Sequence, residues 1–295
     1  MNNPLAPRER SGVIPVFLAA VFYSLGGLCM KLIPWSGIAL NSGRSLLAVL
    51  LYTLYFVLTR HRPRMNRWIA LGALAVCGTN VLFAIANKMT TAANAIVLQY
   101  TAPIFVIVLS ALFLKKRPER MDVAACMLVF LGVVCFFVEG LGGGDLAGDT
   151  VALISGVCYG GVFLLNDLPD GSPMDSVFWG GVLGALIGLP FLPGQPALDA
   201  VARISLVILG VFQMGTAFIL LTVGLRTTPP VTASLITGIE PVLNPILVAV
   251  FYGETMGTLS LIGAAIVVGT VAVYNVRLAR RPQPDKSGEK TSQSL

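Results

Sequence analysis

The sequence predicts an all-α integral membrane protein, with ten transmembrane helices in two inverted five-helix repeats. Three observations carry the prediction. Of the 295 residues, 56% are hydrophobic and 12% charged, against a charged share of about 25% in soluble proteins. The apolar residues gather into ten runs, each near the roughly 20 residues that cross a bilayer core. Two of these runs, Asn94–Leu114 and Thr232–Tyr252, carry prolines near their midpoints, Pro103 and Pro241, at an offset of 138 residues.

Residues 1–12 are a polar tail with Arg8 and Arg10, and no small-x-small cleavage site follows it. Val13–Ile33 is therefore read as an uncleaved first span. Leu40–Thr59, Trp68–Asn87, Ala92–Leu114 and Met121–Val138 complete a first repeat over 13–138, and a glycine-rich hinge occupies 139–148. Asp149–Leu165, Asp175–Leu192, Ile204–Val223, Val231–Phe251 and Leu259–Val276 form a second repeat over 149–276, ahead of a polar tail at 277–295.

Lysine and arginine set the orientation. With the N-terminus inside, one face collects 16 of the 20 cations: Arg8 and Arg10, four arginines from Arg60 to Arg67, four cations from Lys115 to Arg120, Arg226, and five from Arg277 onward. Lys31, Lys88 and Arg203 fall on the other face, and Arg44 lies within the second span. Cation-rich short loops stay cytoplasmic. Both termini are thus expected in the cytoplasm, with the hinge on the opposite side of the membrane.

Five spans per half is an odd number, so a duplicated half must enter the membrane upside down. Laid without gaps, Lys88–Leu114 and Arg226–Tyr252 agree at six of 27 positions, among them Thr90/Thr228, Ala95/Ala233 and Pro103/Pro241. The first and sixth spans pair at an offset of 136, Tyr23 with Tyr159 and Lys31 with Asp167. Inverted repeats with helices broken at mid-membrane are the layout of secondary transporters.

A proline within a helix removes one N–H and pushes away the carbonyl four residues earlier. Pro103 and Pro241 free the carbonyls of Gln99 and Thr237, and Pro245 adds a third helix break. In hydrocarbon such groups persist only where protein or a water-filled cavity satisfies them. The two broken helices are therefore expected to face a central cavity. Gln99, Tyr100, Glu240 and Asn244 flank the breaks and are candidate substrate contacts, joined by Asn80 and Phe83 on the third span and Tyr159 and Phe163 on the sixth. Such helical spacing also suits plain packing, and Asn244 equally suits an interhelical bond.

Glu240 lies near mid-depth, where a charge costs about 2.5–3.5 kcal/mol on insertion scales and should face a cavity or a partner. Its carboxyl either accepts a proton during transport or satisfies the broken backbone. Arg44 lies within about a turn of the outer face, where a long side chain snorkels to water and anchors its span; substrate contact is the alternative.

Several classes are excluded. The hinge LGGGDLAG lacks the lysine and preceding strand of a phosphate loop. The single histidine, His61, lies in a basic loop, which leaves no His-based metal site or Ser–His pair. The five cysteines lie in apolar segments without CxxC spacing and read as packing residues. The cations sit in short loops rather than in a patch for nucleic acid. No metal or cofactor is expected. The expected partners are a small-molecule substrate and the lipid bilayer, for a monomer, with a homo-oligomer left open.

Tyr23-Ser24 with Lys31 closing the first helix, the run Gly43-Arg44-Ser45-Leu46-Leu47-Ala48, and Thr90-Thr91-Ala92-Ala93-Asn94-Ala95 through Pro103 to Phe113 resemble the drug/metabolite transporter superfamily of the EamA type. Thr228 through Pro241 to Gly253-Glu254 repeats the last of these; Lys115-Lys116 stands where the second copy has Gly253-Glu254. The chain is most similar to the bacterial exporters of aromatic amino acids, the YddG group. The resemblance implies metabolite export across a bacterial inner membrane, with the hinge in the periplasm, and aromatic or other large neutral amino acids as substrates; the broken inverted repeats suit alternating access. Other metabolites or drugs, such as nucleosides, sugars or organic cations, are the alternative, and no enzymatic activity is implied.

Overall fold

The computed structural model describes residues 12–90, 92–115, 118–138, 145–243 and 258–279. The regular elements among these residues are helices, and none of the described residues forms a strand. The second, third, seventh and eighth spans are Gly37–Thr59, Arg67–Met89, Pro173–Phe191 and Ala200–Leu225. The fifth is Arg120–Phe137, the sixth Leu146–Phe163 and the tenth Thr258–Ala279. Leu50, Leu54 and Leu58 follow one another at helical spacing on the second span and are more than half exposed, as a lipid-facing stripe must be.

The predicted breaks are present. The fourth span is two helices, Ala92–Gln99 and Ala102–Leu114, parted at Tyr100–Thr101. The ninth begins as Pro230–Thr237, turns at Gly238–Ile239 and resumes over 240–243. Asn244 and Pro245 lie outside the described residues, as do the first six residues of the hinge.

Other features depart from the expectation. The first span is not continuous but divides into Val13–Tyr23 and Gly26–Lys31. At the break the Ser24 hydroxyl donates to Val21 O at 2.6 Å, and serine bonding back onto its own helix with glycine following bends a helix. The sixth span starts at Leu146 rather than Asp149, because the Asp145 carboxylate caps Ala147 N at 3.2 Å. The eighth starts at Ala200, capped by Asp199 through Ala202 N at 2.7 Å. Within it, Ile208–Thr216 widens into a π-helix, whose Thr216 hydroxyl donates to Val211 O five residues back.

The packing repeats itself across the two halves. The third span lies against the sixth and seventh, and its counterpart, the eighth, lies against the first and second. The fourth packs on the sixth as the ninth packs on the first, while second with seventh and fifth with tenth pair counterpart to counterpart. The starts of the two halves lie at opposite ends of this bundle. A Cβ on Gly12 would run into the Thr227 and Thr228 hydroxyls, and one on Gly148 into Met89 and Thr90. Gly12 and Gly148 are themselves 136 residues apart, and Thr90 and Thr228 are 138 apart.

At one end the 60–66 loop meets the loop between the sixth and seventh spans. His61 Nε2 lies 2.7 Å from Asp175 Oδ1, Asn66 Nδ2 donates to Asp170 O at 2.9 Å, and Trp179 Nε1 donates to Arg64 O at 2.9 Å. A cavity of about 670 Å3 opens there, lined by His61, Arg64, Asp170, Asp175, Thr222 and Arg226. At the opposite end Trp35 Nε1 donates to Pro196 O, and the Thr90 hydroxyl to Asp149 Oδ1 at 2.6 Å.

Candidate substrate-binding site

The two breaks meet. The Tyr100 hydroxyl, from the turn in the fourth span, donates to Thr237 O at 3.3 Å. Thr237 O is the carbonyl that Pro241 frees, so the turn of the fourth span supplies a donor to the break in the ninth. Tyr100 and Thr237 are 3% and 1% exposed, which turns both away from lipid. Glu240 begins the resumed helix beside them and is partly exposed. Its carboxyl lies near the same Tyr100 hydroxyl.

Aromatic rings close the space around Glu240. Tyr159 meets Tyr100 edge to face, with centroids 6.4 Å apart and planes at 84°. Phe163, one turn on, lies 5.0 Å from Tyr159 and is fully buried. Tyr23, which pairs with Tyr159 in the repeat, packs its ring edge-on against Phe218 at 5.4 Å. The Tyr23 hydroxyl is buried without a hydrogen-bond partner among the described residues, although the ring system is only 6% exposed. A buried donor left unmade is costly, and here it sits beside Glu240 and Tyr159. In the sequence Tyr23 marks the repeat and the family resemblance, not a substrate contact. Its hydroxyl at mid-span, one turn before a glycine pair, was the signal for a site role.

The remaining candidates are turned elsewhere. Gln99 Nε2 donates to the Ser155 hydroxyl at 2.8 Å, which in turn donates to Thr79 O at 3.0 Å. This chain ties the third, fourth and sixth spans together. Phe83 packs with Ala86, Ala95 and Ala152 in the same seam. Asn80 donates to Val76 O at 2.9 Å and accepts from Arg44 at 3.3 Å. Replacing Gln99 by leucine is expected to cost about 1 kcal/mol of stability, as interhelical hydrogen bonds in membranes do. Thermal unfolding would register that loss, while the half-saturating substrate concentration in exchange stays at the wild-type value.

Arg44 does not snorkel. It is 1% exposed, because amide oxygens on three spans take its protons before water can. Asn41 Oδ1 accepts at 3.0 and 3.2 Å, Asn80 O and Oδ1 at 3.3 Å, and Gln213 Oε1 at 3.4 Å. Gln213 lies in the π-helical stretch. Gln213 is not among the residues expected at the site, although an amide at mid-span is a signal of the same kind as Asn80.

A family model for the EamA-like transporter family matches residues 10–138 and again 146–276. The chain belongs to this family. It is a multi-pass membrane protein of transporter type. Among its relatives, an uncharacterized transporter of Clostridium kluyveri is 25% identical over 293 residues, covering 90% of this chain and 94% of the relative. The threonine/homoserine exporter RhtA of Salmonella typhimurium is 27% identical over 220 residues, 71% of each chain. RhtA of Escherichia coli K12 is 26% identical over 238 residues, 77% of this chain and 76% of its own. A protein solved by crystallography matches with a TM-score of 0.78 at 20% identity, over 93% of this chain and 100% of its own, a likeness of fold.

Proposed function

We propose that this EamA-family transporter exports amino acids from the cytoplasm of a bacterial cell by alternating access, with aromatic and other large neutral ones as its best substrates. The observation that carries the reading is Glu240, set among Tyr23, Tyr100 and Tyr159 where the two broken helices meet. A carboxylate ringed by aromatic faces suits an ammonium group, and the rings with Phe163 and Phe218 behind them suit an aromatic or large apolar side chain. Threonine and homoserine, which the RhtA relatives export, share the amino-acid head group.

Glu240 also sets the state of its surroundings. When it is protonated it donates to the Tyr100 hydroxyl, whose own proton stays on Thr237 O. When it is ionised it draws the Tyr100 proton, and Thr237 O is left to the ammonium of a substrate. The end with the 60–66 loop faces the cytoplasm in this reading, since most of the cations sit there. The 670 Å3 cavity at that end is then the vestibule through which substrate enters.

Counterflow into proteoliposomes preloaded with unlabelled amino acid tests the proposal, using labelled phenylalanine, tryptophan, threonine and homoserine beside sugars, nucleosides and cationic dyes. Saturable exchange of the amino acids, strongest for phenylalanine and tryptophan, is the expected result. Exchange confined to dyes would make this an organic-cation carrier, and flux that never saturates would make it a channel.

A further inference from the structure

We propose that Arg44 is the carboxylate-recognition residue of the transport path, taking the α-carboxylate of an amino acid as it moves through. The inference rests on the amino-acid reading above and extends it to a group that reading does not use.

The guanidinium is a full charge buried within a span, and no carboxylate among the described residues pairs with it. The acids that lie within spans are engaged elsewhere: Asp122 with Tyr274, Asp149 with Thr90 and Asn94, Asp175 with His61, and Glu240 with Tyr100. The groups facing Arg44 are neutral: the three amides and the Tyr52 ring beside it. A buried charge lacking its counter-ion is destabilising, so the arrangement calls for an anion that the chain does not provide.

The bonds that hold Arg44 are easily exchanged. They run from 3.0 to 3.4 Å, whereas guanidinium bonds to an oxyanion close to about 2.7–2.9 Å. Nη1 gives one proton to Gln213 and has a second to offer. A carboxylate matches the paired N–H groups of a guanidinium in a way that single amide oxygens cannot.

The position also suits a moving substrate. Asn80 belongs to the third span and Gln213 to the eighth, which are counterparts in the two halves. Arg44 on the second span joins them. Relative motion of the halves parts Asn80 from Gln213 and frees the guanidinium between them. Gln213 sits in the π-helical stretch, a form that recurs at functional sites, and its amide faces Gly26 on the first span, three residues beyond Tyr23. Through Gln213, Arg44 is thus linked to the span that carries Tyr23. An interhelical tie explains three amides around Arg44; it does not explain a charge among them where a neutral side chain would do.

The test compares ligands on the wild-type protein first, so that no variant needs to fold. Counterflow of labelled phenylalanine is challenged with phenylalanine, phenylalaninamide and 2-phenylethylamine, and the same is done with threonine and threoninamide. We expect the amides and the amine to compete about tenfold or more weakly than the parent acids, the loss of one charge-assisted interaction. In Arg44→Gln that preference collapses, because the acid weakens while the amide and the amine do not. Equal competition by acid and amide in the wild type overturns the assignment of Arg44 and leaves the amino-acid reading standing. Equal weakening of acid and amide in Arg44→Gln also overturns it, as a purely structural role requires. Absence of competition by every amino acid overturns both.

Discussion

Glu240→Gln is expected to reduce amino-acid counterflow by about tenfold or more, while thermal stability stays near that of the wild type. The amide keeps the size of the carboxyl and leaves the Tyr100 bond to Thr237 O in place, so the packing between the two breaks survives. What it lacks is the charge that an ammonium requires, and a hydrogen bond to a charged group contributes about 1.5–3 kcal/mol against about 1 for a neutral one. A deficit of 1.4 kcal/mol is tenfold in an equilibrium constant. Counterflow at a series of external pH values separates the two roles of the carboxyl. A residue that only binds ammonium loses affinity at every pH and leaves the profile unchanged in shape. A residue that also carries a proton leaves, once replaced, a profile that no longer responds to pH. Wild-type exchange in Glu240→Gln at all pH values would show that the carboxyl merely serves the broken backbone.

Gly156→Val is expected to disable transport through a different route. The sixth span comes so close to the turn of the fourth that a Cβ on Gly156 would lie 2.9 Å from Leu98 O and 3.0 Å from both Gln99 O and the Thr101 hydroxyl. These atoms belong to the backbone that Pro103 opens, and Gln99 O is the carbonyl it frees. Two of the three are backbone oxygens that cannot rotate out of the way. Either the sixth span retreats, which separates Tyr159 from Tyr100, or the turn closes up and the pocket changes shape. Overpacking of this kind costs about 1–3 kcal/mol, and the loss of exchange should exceed what that destabilisation explains. Gly269→Ala is the control, since a Cβ there meets nothing within 4 Å. Unaltered exchange in Gly156→Val would mean that the close approach at the fourth-span turn is incidental to the site.

What was legible in the sequence was local. Apolar runs of the right length fold as spans because hydrocarbon leaves backbone groups no other partner, and this holds whatever the neighbours are. Pro103 and Pro241 break their helices by covalent structure, so the breaks at Tyr100–Thr101 and Gly238–Ile239 could be placed in advance to within a residue or two. The freed Thr237 carbonyl was visible too, though not that the Tyr100 hydroxyl would be its donor. Two family matches over 10–138 and 146–276 follow from the same repeated signals, whereas the YddG group is not singled out by the relatives, which include the threonine/homoserine exporters.

What was not legible depended on how each helix is rotated about its axis. Successive residues on a helix point about 100° apart, so Gln99 and Tyr100, neighbours in sequence, face the sixth-span seam and the opposite break respectively. Periodicity in the sixth span placed Tyr159 and Phe163 on one face, but nothing in it told a packing face from a pocket wall. The π-helical stretch of the eighth span has no composition of its own, and it turns Gln213 toward Arg44. Arg44 itself was read as reaching for water from its depth alone; amides from three different spans hold it inside instead, a contact between residues 36 and 169 positions apart. That this chain crosses a membrane as a twice-used, proline-broken unit is written in its residues, because solvation of the backbone and the geometry of proline act within a few positions. Which polar side chains meet across the axis is set by the mutual rotation of packed helices, a property no single segment contains.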